Sequence, residues 1–147
     1  MVMIGSVQVI CIGNVCRSPV AARLLQRAVP GLRVASAGLN AVEGAPADSM
    51  MQALAAEQGL DLSDHRAVQF SMADAAHYDL LLVMEQDMRR RLLRVNPMLC
   101  GKVKLFGQWL TGDRDIADPY MKSREFNISI FMRMETAAAT WKAIFCP

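Results

Sequence analysis

Residues 7–19 read VQVICIGNVCRSP, and this stretch constrains the fold more than any other. The apolar, β-prone run 7–11 suits a strand buried on both faces, the usual condition in a parallel sheet. It passes straight into a loop holding two cysteines, a glycine, an asparagine and an arginine. Ser18 then stands where a helix cap is expected, with Pro19 in the first turn, where its missing N–H costs nothing. Ala21, Ala22, Leu24, Leu25 and Ala28 carry the helix towards Pro30. A strand, a tight loop and a helix in immediate succession predict the first part of a β-α-β unit.

The rest of the chain continues the alternation. Residues 32–36 (LRVAS) read as a second strand and residues 46–58 as a helix ended by Gly59. Residues 79–84 (DLLLVM) form a third buried strand. The following EQDMRRRLLRV is a helix with acids first and arginines last, which suits its dipole. Residues 102–106 (KVKLF) give a fourth strand, and TGDRDIADPY (111–120) is a polar surface loop interrupted by Pro119. From Ser123 onward Ile130, Met134, Ala138, Trp141 and Phe145 recur at spacings of three and four and predict a long closing helix. The expected architecture is α/β in three layers: a four-stranded parallel sheet flanked by helices on both faces, with a phosphate-binding loop after strand 1. At 147 residues the chain is expected to be one domain spanning 1–147. Ligands in such folds bind at the carboxyl ends of the strands, where Cys11 lies.

A loop between a strand and a helix amino end points several backbone N–H groups at one spot, and the helix dipole adds positive potential there. Residues Ile12, Gly13, Asn14, Val15, Cys16, Arg17 and Ser18 are therefore the candidate phosphate-binding loop. Gly13 permits tight turning, Asn14 tolerates a left-handed conformation, and Arg17 offers a planar fork to two phosphate oxygens. Cys11, at the rim of this nest and close to Arg17, is placed to act as a thiolate and attack phosphorus, giving a covalent phosphocysteine. The expected chance occurrence of Cys-x5-Arg in a chain of this composition is about 0.3, falling to about 0.02 once Ser or Thr must follow.

Such chemistry needs a proton donor for the leaving oxygen. Asp118, stiffened by the proline after it, is the candidate, with Asp113 and Asp115 as rivals in the same loop and Tyr120 as an aromatic wall.

Other classes of function are disfavoured. The net charge of +2 and the single cluster Arg89, Arg90 and Arg91 argue against nucleic acid as the main partner. No apolar stretch reaches the ~18 residues that span a bilayer, and no signal-peptide pattern opens the chain, so a cytoplasmic protein without membrane insertion is expected. The four cysteines show no paired zinc spacing, and no G-x-x-x-x-G-K-[ST] nucleotide loop occurs. Neither metal nor cofactor is expected.

These residues resemble the low-molecular-weight protein tyrosine phosphatases, in particular the bacterial enzymes associated with exopolysaccharide and capsule production. VICIGNVCRSP is similar to that family's phosphate-binding signature and ADPYMKSRE to its acid loop, while SAGL, LSDHRA, YDLLLVME and GKVKLFGQW sit where the family has comparable blocks. The resemblance implies hydrolysis of phosphotyrosine, with Cys11 as nucleophile, Arg17 as phosphate clamp and Asp118 as general acid. It implies that Ser18 assists the sulfur, that Asn14, Ser36 and His65 support the loop, and that Cys16 can form a protective disulfide with Cys11. Leu39 and Tyr120 are the expected substrate wall, with Asn40 and Val42 beside Leu39. The implied partner is a phosphotyrosine protein, an autophosphorylated tyrosine kinase of polysaccharide export among the candidates, and a monomer is expected. Arsenate reductase is the alternative activity, because one class shares this fold and loop. That class uses a distal cysteine pair, whereas Cys100 and Cys146 are far apart in sequence. A non-catalytic phosphate-binding protein is a third reading, disfavoured by the joint presence of Cys11, Arg17 and Asp118.

Overall fold

The computed structural model describes residues 3–146. Four parallel strands form one sheet in the order β2-β1-β3-β4: β1 (Ser6–Cys11), β2 (Arg33–Gly38), β3 (Leu80–Val83) and β4 (Val103–Leu105). β1 and β3 are buried along their whole length, so β3 reads as an unbroken apolar run and β1 is broken only by the buried polar Ser6 and Gln8. The chain moves from β1 to β2 in one direction and from β3 to β4 in the other. Right-handed crossovers therefore place α1 (Arg17–Ala28) and α4 (Gln86–Val95) on opposite faces. α1 packs on β1 and β2, α4 on β3 and β4, and the long α5 (Arg124–Phe145) lies along α1 and touches α2 (Ser49–Glu57). Its inward stripe includes Ile130, Phe131, Met134, Ala138 and Trp141, and the Trp141 indole N–H donates to the Phe106 carbonyl at 2.7 Å.

Helix boundaries depart from the sequence reading in instructive ways. Ser18 is not the cap of α1: the helix starts two residues earlier, at Arg17, Cys16 occupies the cap position, and no side chain caps the end. The hydroxyl expected to cap is used elsewhere, as shown below. The helix predicted over 46–58 is confined to Ser49–Glu57 because the Asp48 carboxylate accepts from Met51 N at 3.1 Å and starts it there. Two short elements escaped prediction: α3 (Met72–Ala75) and a 3-10 turn, Pro97–Gly101. Each is too short to carry a periodic signal.

Because the chain turns both ways from β1, the carboxyl end of that strand is the switch point of the sheet. Beyond it, Leu39 N donates to Cys11 O, Asn40 N to Ile12 O and Val42 N to Gly13 O, at 2.9–3.1 Å. The segment after β2 is thus bound to the loop after β1.

Candidate active site

Asn14 organises the loop. It is fully buried and left-handed, with φ 59°. Its Nδ2 donates to Ser18 Oγ at 2.7 Å and Ser36 Oγ at 3.0 Å, its Oδ1 accepts from Val68 N at 2.9 Å, and its carbonyl lies 2.7 Å from His65 Nε2. Asparagine suits the position twice over, since it tolerates the left-handed region and brings both a donor and an acceptor. The structure brings Asn14, Ser18, Ser36 and His65 into one network.

That network sets the direction of a proton. The Ser18 oxygen already accepts from Asn14, so its own hydrogen is free for Cys11 Sγ, 2.9 Å away. Asn14 N approaches the same sulfur at 3.3 Å. The uncapped amino end of α1 faces this point. A tetrahedral dianion over the loop can be met by backbone N–H groups with the sulfur beneath it.

Arg17 is the largest buried side chain near the loop, only 2 % exposed. Its NH1 donates to Glu85 Oε1 and to the Ile116 carbonyl, both at 2.8 Å, and its NH2 stands 3.9 Å from Asp118 Oδ2. Glu85 is a site residue that the sequence reading missed: it was counted as a first-turn acid of α4, but its carboxylate makes no cap and turns to Arg17. The available signal was its place directly after a buried strand, at the ligand edge of the sheet. Asp118 Oδ1 accepts from Tyr120 N at 3.1 Å, which leaves Oδ2 facing Arg17. The rival acids serve the backbone instead: Asp113 Oδ1 accepts from Asp115 N and Asp115 Oδ1 from Gln86 N, both at 2.9 Å.

Cys11, Arg17, Asp118 and Tyr120 line a cleft of ≈ 580 Å³ together with Asn40, Val42, Pro46, Asp48 and Gln52. Leu39 is not part of it. Its side chain joins Phe70, Met72, Leu92 and Val95 in a separate depression, because the turn after β2 presents Asn40 and Val42, not Leu39, to the cleft. Tyr120 is 54 % exposed at the mouth. Cys16 is buried beneath; burial, then the carboxylates of Asp48 and Asp118, push its thiol pKa strongly up, so it stays protonated at neutral pH. Burial also lowers the pKa of His65, against the opposing pull of the Asn14 carbonyl. Among the described residues no group of three or more His, Cys, Asp or Glu is placed to hold a metal ion, and no helix is long and apolar enough to cross a membrane.

Residues 6–144 match the family described as low molecular weight phosphotyrosine protein phosphatase. Over 139 residues the chain is 45 % identical to the low molecular weight protein-tyrosine-phosphatase Wzb of Escherichia coli K12, covering 95 % of this chain and 94 % of that one. The crystal structure of the tyrosine phosphatase AmsI of Erwinia amylovora superimposes with a TM-score of 0.94 at 41 % identity, over 99 % of this chain and 95 % of that one. Vibrio vulnificus Wzb in complex with benzylphosphonate gives a TM-score of 0.91 at 37 % identity, over 96 % and 99 % of the two chains.

Proposed function

The chain belongs to the low molecular weight phosphotyrosine protein phosphatase family and is a protein-tyrosine-phosphatase; from that premise we propose how its own residues carry the reaction. The loop 12–18 and Arg17 seat the phosphate dianion. The Cys11 thiolate attacks phosphorus in line, the P–O bond to the tyrosine breaks, and the Asp118 carboxyl gives its proton to the departing phenolate. Water then attacks the phosphocysteine, the Asp118 carboxylate takes its proton, and the sulfur leaves as a thiolate assisted by the Ser18 hydroxyl. Inorganic phosphate is the second product. Arg17, in a fixed fork, stabilises the equatorial oxygens in both steps.

The observation that carries this reading is the convergence of Cys11, Arg17 and Asp118 on one cleft, with Asp118 Oδ2 3.9 Å from the Arg17 guanidinium. Val42 and Tyr120 both line the cleft and on this reading form the wall for the substrate ring. The benzylphosphonate of the Vibrio vulnificus relative, an aromatic ring one carbon from a phosphonate, has the shape this wall would accept. The physiological substrate on this reading is a phosphotyrosine protein, specifically an autophosphorylated tyrosine kinase of exopolysaccharide production, met in the cytoplasm by a phosphatase monomer. The resemblance to capsule-associated enzymes supports that choice. Arsenate reduction would require further cysteines to carry a disulfide away from Cys11, whereas Cys100 and Cys146 are exposed and far apart in sequence.

Acid quenching of the enzyme during turnover of a phosphate-labelled aryl phosphate is expected to trap the label on Cys11. Turnover retained by Cys11→Ser, or label on another residue, would overturn the mechanism.

A further inference from the structure

The segment that carries Asp118 has no regular secondary structure, yet both of its ends are tied to α5 by polar side chains. On the near side, Arg133 Nε donates to the Asp115 carbonyl at 3.2 Å and Arg133 NH2 donates to the Asp113 carbonyl. On the far side, Asn127 is 2 % exposed and offers its Nδ2 to three carbonyl oxygens: Pro119 at 3.1 Å, Lys122 at 3.3 Å and Ser123 at 2.9 Å. The two grips straddle Asp118.

Asn127 is informative because it is poorly served by its own site. Its Oδ1 is buried with no hydrogen-bond partner among the described residues. An orphaned carbonyl in the interior is a cost, and an apolar side chain of similar size would avoid it. The three carbonyl acceptors also fix which end of the amide faces the loop, since the reverse orientation would set oxygen against oxygen. What the residue supplies in return is the hold on residues 119–123. Arg133 is half-buried on a helix whose buried residues, Asn127 apart, are apolar, and its donors reach backbone, not a carboxylate.

We propose that Asn127 and Arg133 are positioning residues that hold the acid loop from both sides and so keep Asp118 at the distance from Arg17 required for proton delivery. This inference rests on the reading of Asp118 as the general acid. Catalytic groups lose much of their effect when displaced by about an ångström. The sheet side of the loop is fixed by Ile116 N on the Met84 carbonyl, Arg17 on the Ile116 carbonyl and Asp115 Oδ1 on Gln86 N, and its α5 side by Asn127 and Arg133.

The test is single-turnover hydrolysis of phosphotyrosine, and of an aryl phosphate whose phenolate is stable at neutral pH, by Asn127→Leu, Arg133→Met, Asp118→Asn and the double variants. Asn127→Leu and Arg133→Met are each expected to lose about tenfold on phosphotyrosine and less than about twofold on the activated ester. Neither should cost anything further in the Asp118→Asn background. The losses should be confined to the poor leaving group and should not follow the Tm of each variant, a split that a merely structural residue would not give; should Asn127→Leu fail to fold, Arg133→Met decides alone. Equal losses on both substrates, or losses that add to that of Asp118→Asn, overturn the clamp. If Asp118→Asn shows leaving-group dependence and neither clamp variant does, the clamp falls and the acid stands. If Asp118→Asn shows none, the acid falls and takes the clamp with it.

Discussion

Arg17 and Glu85 lie 68 positions apart in the chain and meet at 2.8 Å, the guanidinium 2 % exposed and the carboxylate 35 %. The pair spans the sheet edge from the start of α1 to the end of β3, and it answers a physical problem. A buried cation needs a counter-charge when no phosphate is present, and a side chain with several rotatable bonds must already point at the place the phosphate will take. Glu85 provides both.

Removing Glu85 should therefore harm the protein before it harms the chemistry. Glu85→Ala is expected to lower unfolding stability by about 2–3 kcal/mol, short of the loss for a fully buried pair because the carboxylate is partly solvated. Inorganic phosphate, itself an anion beside Arg17, should restore part of that loss. Urea unfolding with and without phosphate checks this; a variant as stable as wild type would show that the ion pair is idle.

The acid should reveal itself by its dependence on the leaving group. A tyrosine phenolate, with a conjugate-acid pKa of about 10, departs poorly unprotonated, so Asp118→Asn should slow its release by about 10²–10⁴-fold and matter progressively less as the leaving group becomes a better anion. Asp113→Asn and Asp115→Asn should show no such slope, because those carboxylates bind Asp115 N and Gln86 N. Pre-steady-state rates over a series of aryl phosphates decide among the three.

At Gly38 the limit is steric. A Cβ there would be driven against the Ile12 carbonyl oxygen and would stand 3.0 Å from Asn14 N, and neither is a side-chain tip that can swing away. Gly38→Ala is expected to cost about 1–3 kcal/mol of stability and to displace the loop, weakening inhibition by phosphate. Calorimetry together with phosphate inhibition checks both; a variant with unchanged inhibition would mean that the loop absorbs the methyl group.

His65 should leave a mark on stability below neutral pH. Burial lowers its folded-state pKa below the ordinary 6.5, so between that lowered value and 6.5 the unfolded chain binds more protons than the folded one. The contribution is present in full above 6.5 and is lost as pH falls through the window below it. Tm measured from pH 7 down to 5 should decline in wild type and decline less in His65→Gln. Identical slopes would remove His65 from the account.

The loop and the meeting of its residues were legible because the motif is local: Cys11, Arg17 and Ser18 lie within eight residues, and the strand before them and helix after them are strongly patterned. Asp118 was legible through the company it keeps in a polar loop next to proline. Glu85 was not, because an acid at a helix start already has an explanation in the dipole, and the partner that claims it is distant in sequence. Leu39 was assigned to the cleft because a run such as LNAV does not say which residue a turn will face inward. Ser18 passed for a cap because Ser before Pro at a helix start has that meaning far more often than it serves a thiol. Asn127 and Arg133 stayed hidden in a helix read only by its apolar stripe.

α5 is the last helix in the chain, and it both covers α1 and holds the segment around Asp118. Core packing and the placement of the segment around Asp118 are thus mechanically one, and a substitution that shifts α5 on α1 moves both together.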